Sequence, residues 1–371
     1  MTRSSLLVIG VVAGVCVVAI AFSAPASTSR AGTGLLIGGA EMLAPRSGHS
    51  ATLLPDGRVL IAGGMRRNQD FYRSAELFDP KTGKFSATGE MLVRRVGHAA
   101  VLLPSGKVLI AGGWIGHGST DEAELFDPGT GKFAEISHMT MKRGRPEATL
   151  LRDGNVLITG GADGSGAGTN IVSAEIFDAA SLKFRSTGSM HRARLSHTAT
   201  LLSDGKVLIA GGRGSEVEAS AELYDPKTGA FTETGRMLTA RYKHTAGLLP
   251  DGRVLLAGGS DDRDWHGTLA SAEIYDPQRG TFAATAPLNR ARFKLPDEAV
   301  RLRSGQLLIA GGNREAEVYD NQTGKFTVVA GDMGDSRHFL SETLLNDGRV
   351  LLAGGYANDP EATAQTWIYR P

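Results

Sequence analysis

Residues 50–64 read SATLLPDGRVLIAGG, and residues 74–85 read SAELFDPKTGKF. Ser50 to Leu54 is a short apolar run. Asp56-Gly57 follows, a dipeptide that favours positive φ and hence a tight hairpin. Val59 to Ala62 is the partner strand, closed by Gly63-Gly64. Ala75 to Phe78 alternates apolar and polar residues. Asp79-Pro80 opens a turn that Gly83 closes in the left-handed region, and Phe85 marks a fourth strand. A continuous apolar run implies burial on both faces, whereas alternation implies a half-buried outer strand. The unit is therefore four antiparallel strands.

The unit recurs. Gly-Gly pairs close an apolar strand at Gly63-Gly64, Gly112-Gly113, Gly160-Gly161, Gly211-Gly212, Gly258-Gly259, Gly311-Gly312 and Gly354-Gly355, at spacings of 43 to 53 residues. Radial repetition of four-stranded sheets makes a β-propeller. The seventh unit stops after its third strand, Trp367 to Tyr369, whereas Thr33-Gly34-Leu35-Leu36 aligns with Thr82-Gly83-Lys84-Phe85. An N-terminal outer strand is thus expected to close the ring and hide two sheet edges. The expectation is an all-β, seven-bladed propeller over residues 33–371, as one domain.

The Gly-Gly pair, the aromatic before the turn (Phe78, Phe126, Phe177, Tyr224, Tyr275, Tyr319, Tyr369) and the aromatic of the fourth strand resemble the Kelch repeat. Kelch repeats usually carry tryptophan in the last strand. Here it is Phe85, Phe133, Phe184, Phe231, Phe282 and Phe326, with Leu36 in the closing strand, which resembles the bacterial, galactose-oxidase-like branch.

Glycine accounts for 49 of 371 residues, against an average of about 7%, as many tight turns require. Net charge is +1, from 40 basic and 39 acidic residues. That balance removes a nonspecific pull toward nucleic acid. Arg3 precedes an uncharged apolar run, Leu6 to Phe22, and small residues follow. Residues 1–26 read as a secretory signal, or an uncleaved N-terminal anchor. Cleavage sites fit at Ala19-Ile20-Ala21 and Ala24-Pro25-Ala26. A secreted, periplasmic or cell-envelope location is expected, with membrane contact only through that segment. Cys16, the only cysteine, lies inside it. A mature chain would hold neither a disulfide nor a thiolate ligand.

The Asp-Gly and Pro-x-x-Gly turns lie at one end of the ring. The longer loops after the second strand, and the connections between blades, lie at the other, where variable loops on a rigid scaffold carry function. Trp114, Trp265, Tyr72 and Tyr356 fall there. They suit sugar stacking or a protein contact, or simple packing over the blade edge. An arginine recurs in every connection: Arg46, Arg95, Arg143, Arg194, Arg241, Arg292 and Arg337. Glutamates recur in the third strand: Glu76, Glu124, Glu175, Glu222, Glu273 and Glu317. A ring of structural pairs and an electropositive funnel for an acidic ligand are both open. His49, His98, His197 and His244 follow three residues on, spread around the ring rather than converging on a metal. Asymmetry points to blades three, six and seven, through Arg143 and Glu147, Arg292, Asp297 and Glu298, and Arg337, His338 and Glu342. A general acid/base pair would be sought there.

The leading expectation is a monomeric, cofactor-free binding propeller for a glycan or protein partner. The alternatives are a cofactor-free carbohydrate-active enzyme of the epimerase or mutarotase type, and a cell-envelope scaffold. The copper chemistry of galactose oxidase needs a cysteine-crosslinked tyrosine, which a mature chain could not supply. No metal site is expected.

Overall fold

The computed structural model describes residues 34–164, 169–357, 359 and 361–371. The expected signal or anchor lies outside them. One compact unit spans Thr33–Pro371. It holds seven four-stranded antiparallel sheets, arranged as the repeat requires. Among the described residues the one helical element is a short 3-10 turn, Asp264–Gly267. No helix there is long and apolar enough to cross a membrane.

Blades 1 to 6 are contiguous in sequence. Blade 7 combines Ser341–Leu344, Val350–Ala353 and Thr366–Arg370 with Leu35–Gly38. The closing strand pairs Leu36 with Tyr369, as Phe85 pairs with Phe78 in blade 1. The leucine thus takes the place the repeat gives to phenylalanine.

The core is divided between blades. Leu60, Ala62, Leu77 and Met91 of blade 1 pack on Val108, Ile110 and Phe126 of blade 2, and the other interfaces repeat this. Second strands are buried throughout. Within each of blades 1 to 6 the third- and fourth-strand rings meet at 4.8–4.9 Å. The Tyr224, Tyr275 and Tyr319 hydroxyls bond Thr187, Thr234 and Thr285 of the preceding blade at 2.9–3.0 Å.

The alternating third strand is not half-buried. Glu76, Glu124, Glu175, Glu222, Glu273 and Glu317 are all buried, because each carboxylate is claimed by an arginine. Arg46 Nε donates to Glu76 Oε1 at 2.9 Å, and its Nη1 donates to the carbonyls of Gly63 and Ser74. The other Glu76 oxygen accepts the Leu43 N–H. The arginine therefore ties the connecting segment to both central strands. Blades 1 to 6 all contain this pair. In blade 7 Trp367 stands in place of glutamate, and Arg337 lies 5.3 Å from its ring centroid.

Blade 6 departs from the pattern. Its first strand has two residues, Val300–Arg301. The preceding segment pairs with blade 5 instead: Ala246 N–H donates to Asp297 O, and Ala299 N–H to Ala246 O.

Candidate functional site

Two residues after each ring arginine stand Gly48, Gly97, Arg145, Ser196, Lys243, Lys294 and Phe339. All seven have φ between 52° and 60°. Backbone bonds run from one blade to the next through these positions. Gly97 N–H donates to Gly48 O, Arg145 N–H to Gly97 O, Lys243 N–H to Ser196 O, Phe339 N–H to Lys294 O, and Gly48 N–H to Phe339 O. Blades 1 and 2 use glycine, which adopts this conformation freely. The other five residues hold it at about 1 kcal/mol or more each. A side chain at residue 97 would collide with Arg145 Cγ, 2.8 Å from an ideal Cβ.

On blades 5 to 7 these positions converge with aromatic rings. Lys294 Nζ lies 3.6 Å from the Trp265 ring centroid and donates to Tyr356 Oη at 2.9 Å. Trp265 stands edge-on to Phe293 and His338, at 4.9 and 4.8 Å. Lys243 Nζ pairs with Asp264 Oδ1 at 2.9 Å, which also accepts the Tyr242 hydroxyl at 2.5 Å. The Arg145 guanidinium lies 4.1 Å from the Phe339 ring centroid. Burial, then the charge of Lys243, lowers the Lys294 pKa to about 8. Burial lowers His338 to about 4, so its imidazole is neutral at pH 7. Burial raises Tyr356 to about 12.

On the other side, Gly48, Gly97, Phe71, Trp114, Arg145 and Phe339 line a pocket of about 380 Å³. The Trp114 indole lies directly against Gly144, where an added Cβ would meet it. Within the ring of first strands is a cavity of about 530 Å³, lined by Ala148, Ala199, Glu298 and Arg301 among others. Glu147 of blade 3 meets Asp297 of blade 6. Burial, and then Asp297, raises the Glu147 pKa well above the usual carboxylate range, and burial raises Asp297 too. Glu147 holds the proton and Asp297 accepts it, with Arg145 favouring the charged form of both. Glu298 is accessible to solvent but surrounded by protein, and that enclosure raises it as well.

Glu342 replaces the missing pairing in blade 6. Its Oε1 accepts the Ala310 N–H at 2.8 Å, and its buried Oε2 has no hydrogen-bond partner among the described residues. Burial raises its pKa to about 8. The folded state therefore binds a proton that the unfolded chain releases above about pH 4.5. This penalty grows as pH rises toward 8. Glu342→Gln keeps the acceptor and removes the charge. It should gain about 1–3 kcal/mol at pH 9 and be neutral at pH 4, read from urea midpoints at both values. Equal effects at the two pH values would refute this.

The candidate residues thus divide. Trp265, Tyr356 and His338 meet in one cluster; Glu147, Asp297 and Glu298 meet in another. Trp114 lines the pocket. Tyr72 covers Arg46 at 4.8 Å. Arg143 and Arg292 do not reach the face: both are wholly buried and paired with Glu175 and Glu317. Arg337 is held by Gln365 and Trp367. The ring arginines of blades 1 to 6 form no funnel, because their charge is spent on buried glutamates and carbonyls. The cations that face the mouth, Arg145 and Lys243, were missed, as were Tyr242 and Asp264. Comparing the residue two past each arginine across the blades would have found the two cations.

A family profile described as the Kelch motif matches residues 94–140. No curated protein matches the chain. A solved structure similar to it is a fungal alcohol oxidase of the AA5 family in complex with copper, at 16% identity and a TM-score of 0.73, covering 91% of this chain and 76% of that one. Copper does not fit the residues here. Among the described residues no cluster of three or more His, Cys, Asp or Glu could hold a metal. The mouth presents a guanidinium and ammonium groups, which repel cations. The seven four-stranded blades and the closed ring make the chain a β-propeller, one stretch of which, residues 94–140, matches the Kelch motif.

Proposed function

We propose that this chain is an extracytoplasmic binding propeller that grips a glycan at the mouth of its loop-rich face. The observation that carries the reading is the pocket over Gly48 and Gly97. Its walls are Trp114, Phe71 and Phe339, with Arg145 at the edge. Sugars present C–H faces that stack on such rings and hydroxyls that bond a guanidinium. The two glycines keep that space open, because their counterparts in the other blades carry side chains. The apolar segment before Phe22 supports export.

Trp114→Ala should weaken glycan binding about tenfold or more while the urea midpoint moves little. Titration calorimetry of the full chain against neutral and acidic trisaccharides measures the first effect. Loss of folding would assign Trp114 to packing alone, and silence across the whole panel would sink the glycan reading.

One observation favours a cofactor-free enzyme as the second reading. Glu147 and Asp297, next in sequence to the cavity residues Ala148 and Glu298, share a proton, as an acid/base pair for sugar epimerisation or mutarotation would. NMR line exchange between the anomers of a bound reducing sugar tests it. A rate equal to that in buffer would reject catalysis.

A further inference from the structure

We propose that Arg145, Lys243 and Lys294 form an anion seat that receives the carboxylate of an acidic sugar. The inference rests on the glycan-binding reading and narrows it to one ligand class.

The three cations occupy equivalent positions on blades 3, 5 and 6, each in the left-handed region. Blades 1 and 2 show that glycine satisfies the backbone there without strain. Five strained positions in one ring are a feature that the scaffold does not need, and strain of this kind concentrates at functional sites.

The charges are not balanced locally. Asp264 pairs with Lys243, and also favours the charged form of Lys294 at longer range. Lys294 is only 6% exposed, yet its partners are a hydroxyl and aromatic rings, with no carboxylate in ion-pair contact among the described residues. A buried ammonium without a counter-charge is costly to hold. Arg145 has no ion pair among the described residues, and its acidic neighbours Glu147 and Asp297 divide one proton between them. An incoming carboxylate supplies the missing negative charge.

Geometry assigns the roles. Arg145 lines the pocket beside Trp114, and Lys243, partly exposed, lies close enough to feel its charge. The planar guanidinium suits a carboxylate in a two-pronged bond. Lys294 lies beneath the Trp265 indole and acts through its field, while the indole, 43% exposed, offers a stacking face to the sugar.

The test titrates the full chain with a galacturonic acid trimer and a neutral galactose trimer at low salt. The acidic trimer should bind at least about tenfold tighter, the scale of one charge-assisted contact. Arg145→Met should remove the preference, weakening the acidic trimer at least about tenfold more than the neutral one. Lys294→Met should reduce it. Arg145→Lys keeps the charge without the fork, and should retain part of it even if the methionine variant folds poorly. Raising salt to 0.5 M should shrink the preference by screening. Equal affinities for the two trimers would overturn the seat while leaving glycan binding in place. A preference that survives in Arg145→Met would overturn it too. Failure of both trimers to bind would remove the glycan reading on which the seat depends.

Discussion

Replacing Glu222 with alanine should cost about 3–5 kcal/mol of folding stability. Glu222 and Arg194 are both wholly buried, with Nη2 3.0 Å from Oε1. The same carboxylate accepts the N–H groups of His191 and Arg192. Truncation therefore leaves a buried guanidinium uncompensated and two amides without their acceptor. Blade 7 supplies the internal comparison. Arg337 has Gln365 and the Trp367 ring instead of a carboxylate. Arg337→Met should cost only about 1 kcal/mol. Urea unfolding of both variants at pH 7 measures the difference. Equal losses would mean that the arginines act through packing of their stems rather than through charge. The total is large against the roughly 5–15 kcal/mol that holds a typical protein folded, so single-blade damage should be felt by the whole ring.

Acid should destabilise the propeller, and the histidine ring sets the window. Burial, reinforced by Arg46, Arg95 and Arg194 respectively, lowers His49, His98 and His197 to about 3. His244 shifts in the same direction. Each bonds a hydroxyl of the preceding blade through Nε2, as His197 does with Thr159 at 2.9 Å. The unfolded chain protonates these groups below about pH 6.5, whereas the folded chain keeps them neutral down to about 3. The unfolded state then binds more protons, so stability falls as pH drops through that window. Each histidine contributes up to about 1.4 kcal/mol per pH unit. The raised carboxyl groups Glu147, Asp297 and Glu342 act in the opposite sense and reduce the net slope. Leucine occupies the histidine position in blades 6 and 7, as Leu295 and Leu340, packed against the Gly-Gly strand end. His197→Leu should therefore cost about 1 kcal/mol at pH 7 for the lost hydrogen bond. It should recover about 2 kcal/mol or more at pH 4.5 relative to the parent. Parallel stability curves for the two proteins between pH 7 and 4.5 would exclude this origin.

The ring was legible because its signals are local and repeated. A turn at Asp56-Gly57 or a strand end at Gly63-Gly64 is read from neighbouring residues, and seven copies average out exceptions such as blade 6. The burial of Glu76 was not legible as a single strand pattern. Its environment is decided by Arg46, thirty residues earlier, so alternation gave the wrong depth. The mouth was harder still. Arg145, Lys243 and Lys294 lie far apart in sequence, and what unites them is a backbone conformation rather than a residue type. Trp265 was singled out as a loop aromatic and His338 as a departure from the repeat, but nothing short of the fold puts Lys294 beneath that indole. Arg143 and Arg292 misled because they are the most regular cations in the chain, and regularity here marks scaffold.

Blade 7 has a consequence for how the molecule is made. Blades 1 to 6 leave the ribosome with all four strands in one continuous stretch, so each can form its hairpins as it emerges. Leu35–Gly38 emerges before any of them, and beyond one backbone bond, Leu36 N–H to Ala330 O, its ladder waits for Thr366–Arg370. Closure joins the earliest and latest strands of the ring, the longest-range pairing in the chain. A chain interrupted between residues 328 and 366 would carry six finished blades and still display bare strand edges. The seam makes residues 366–370 a condition for covering the last strand edge of the ring.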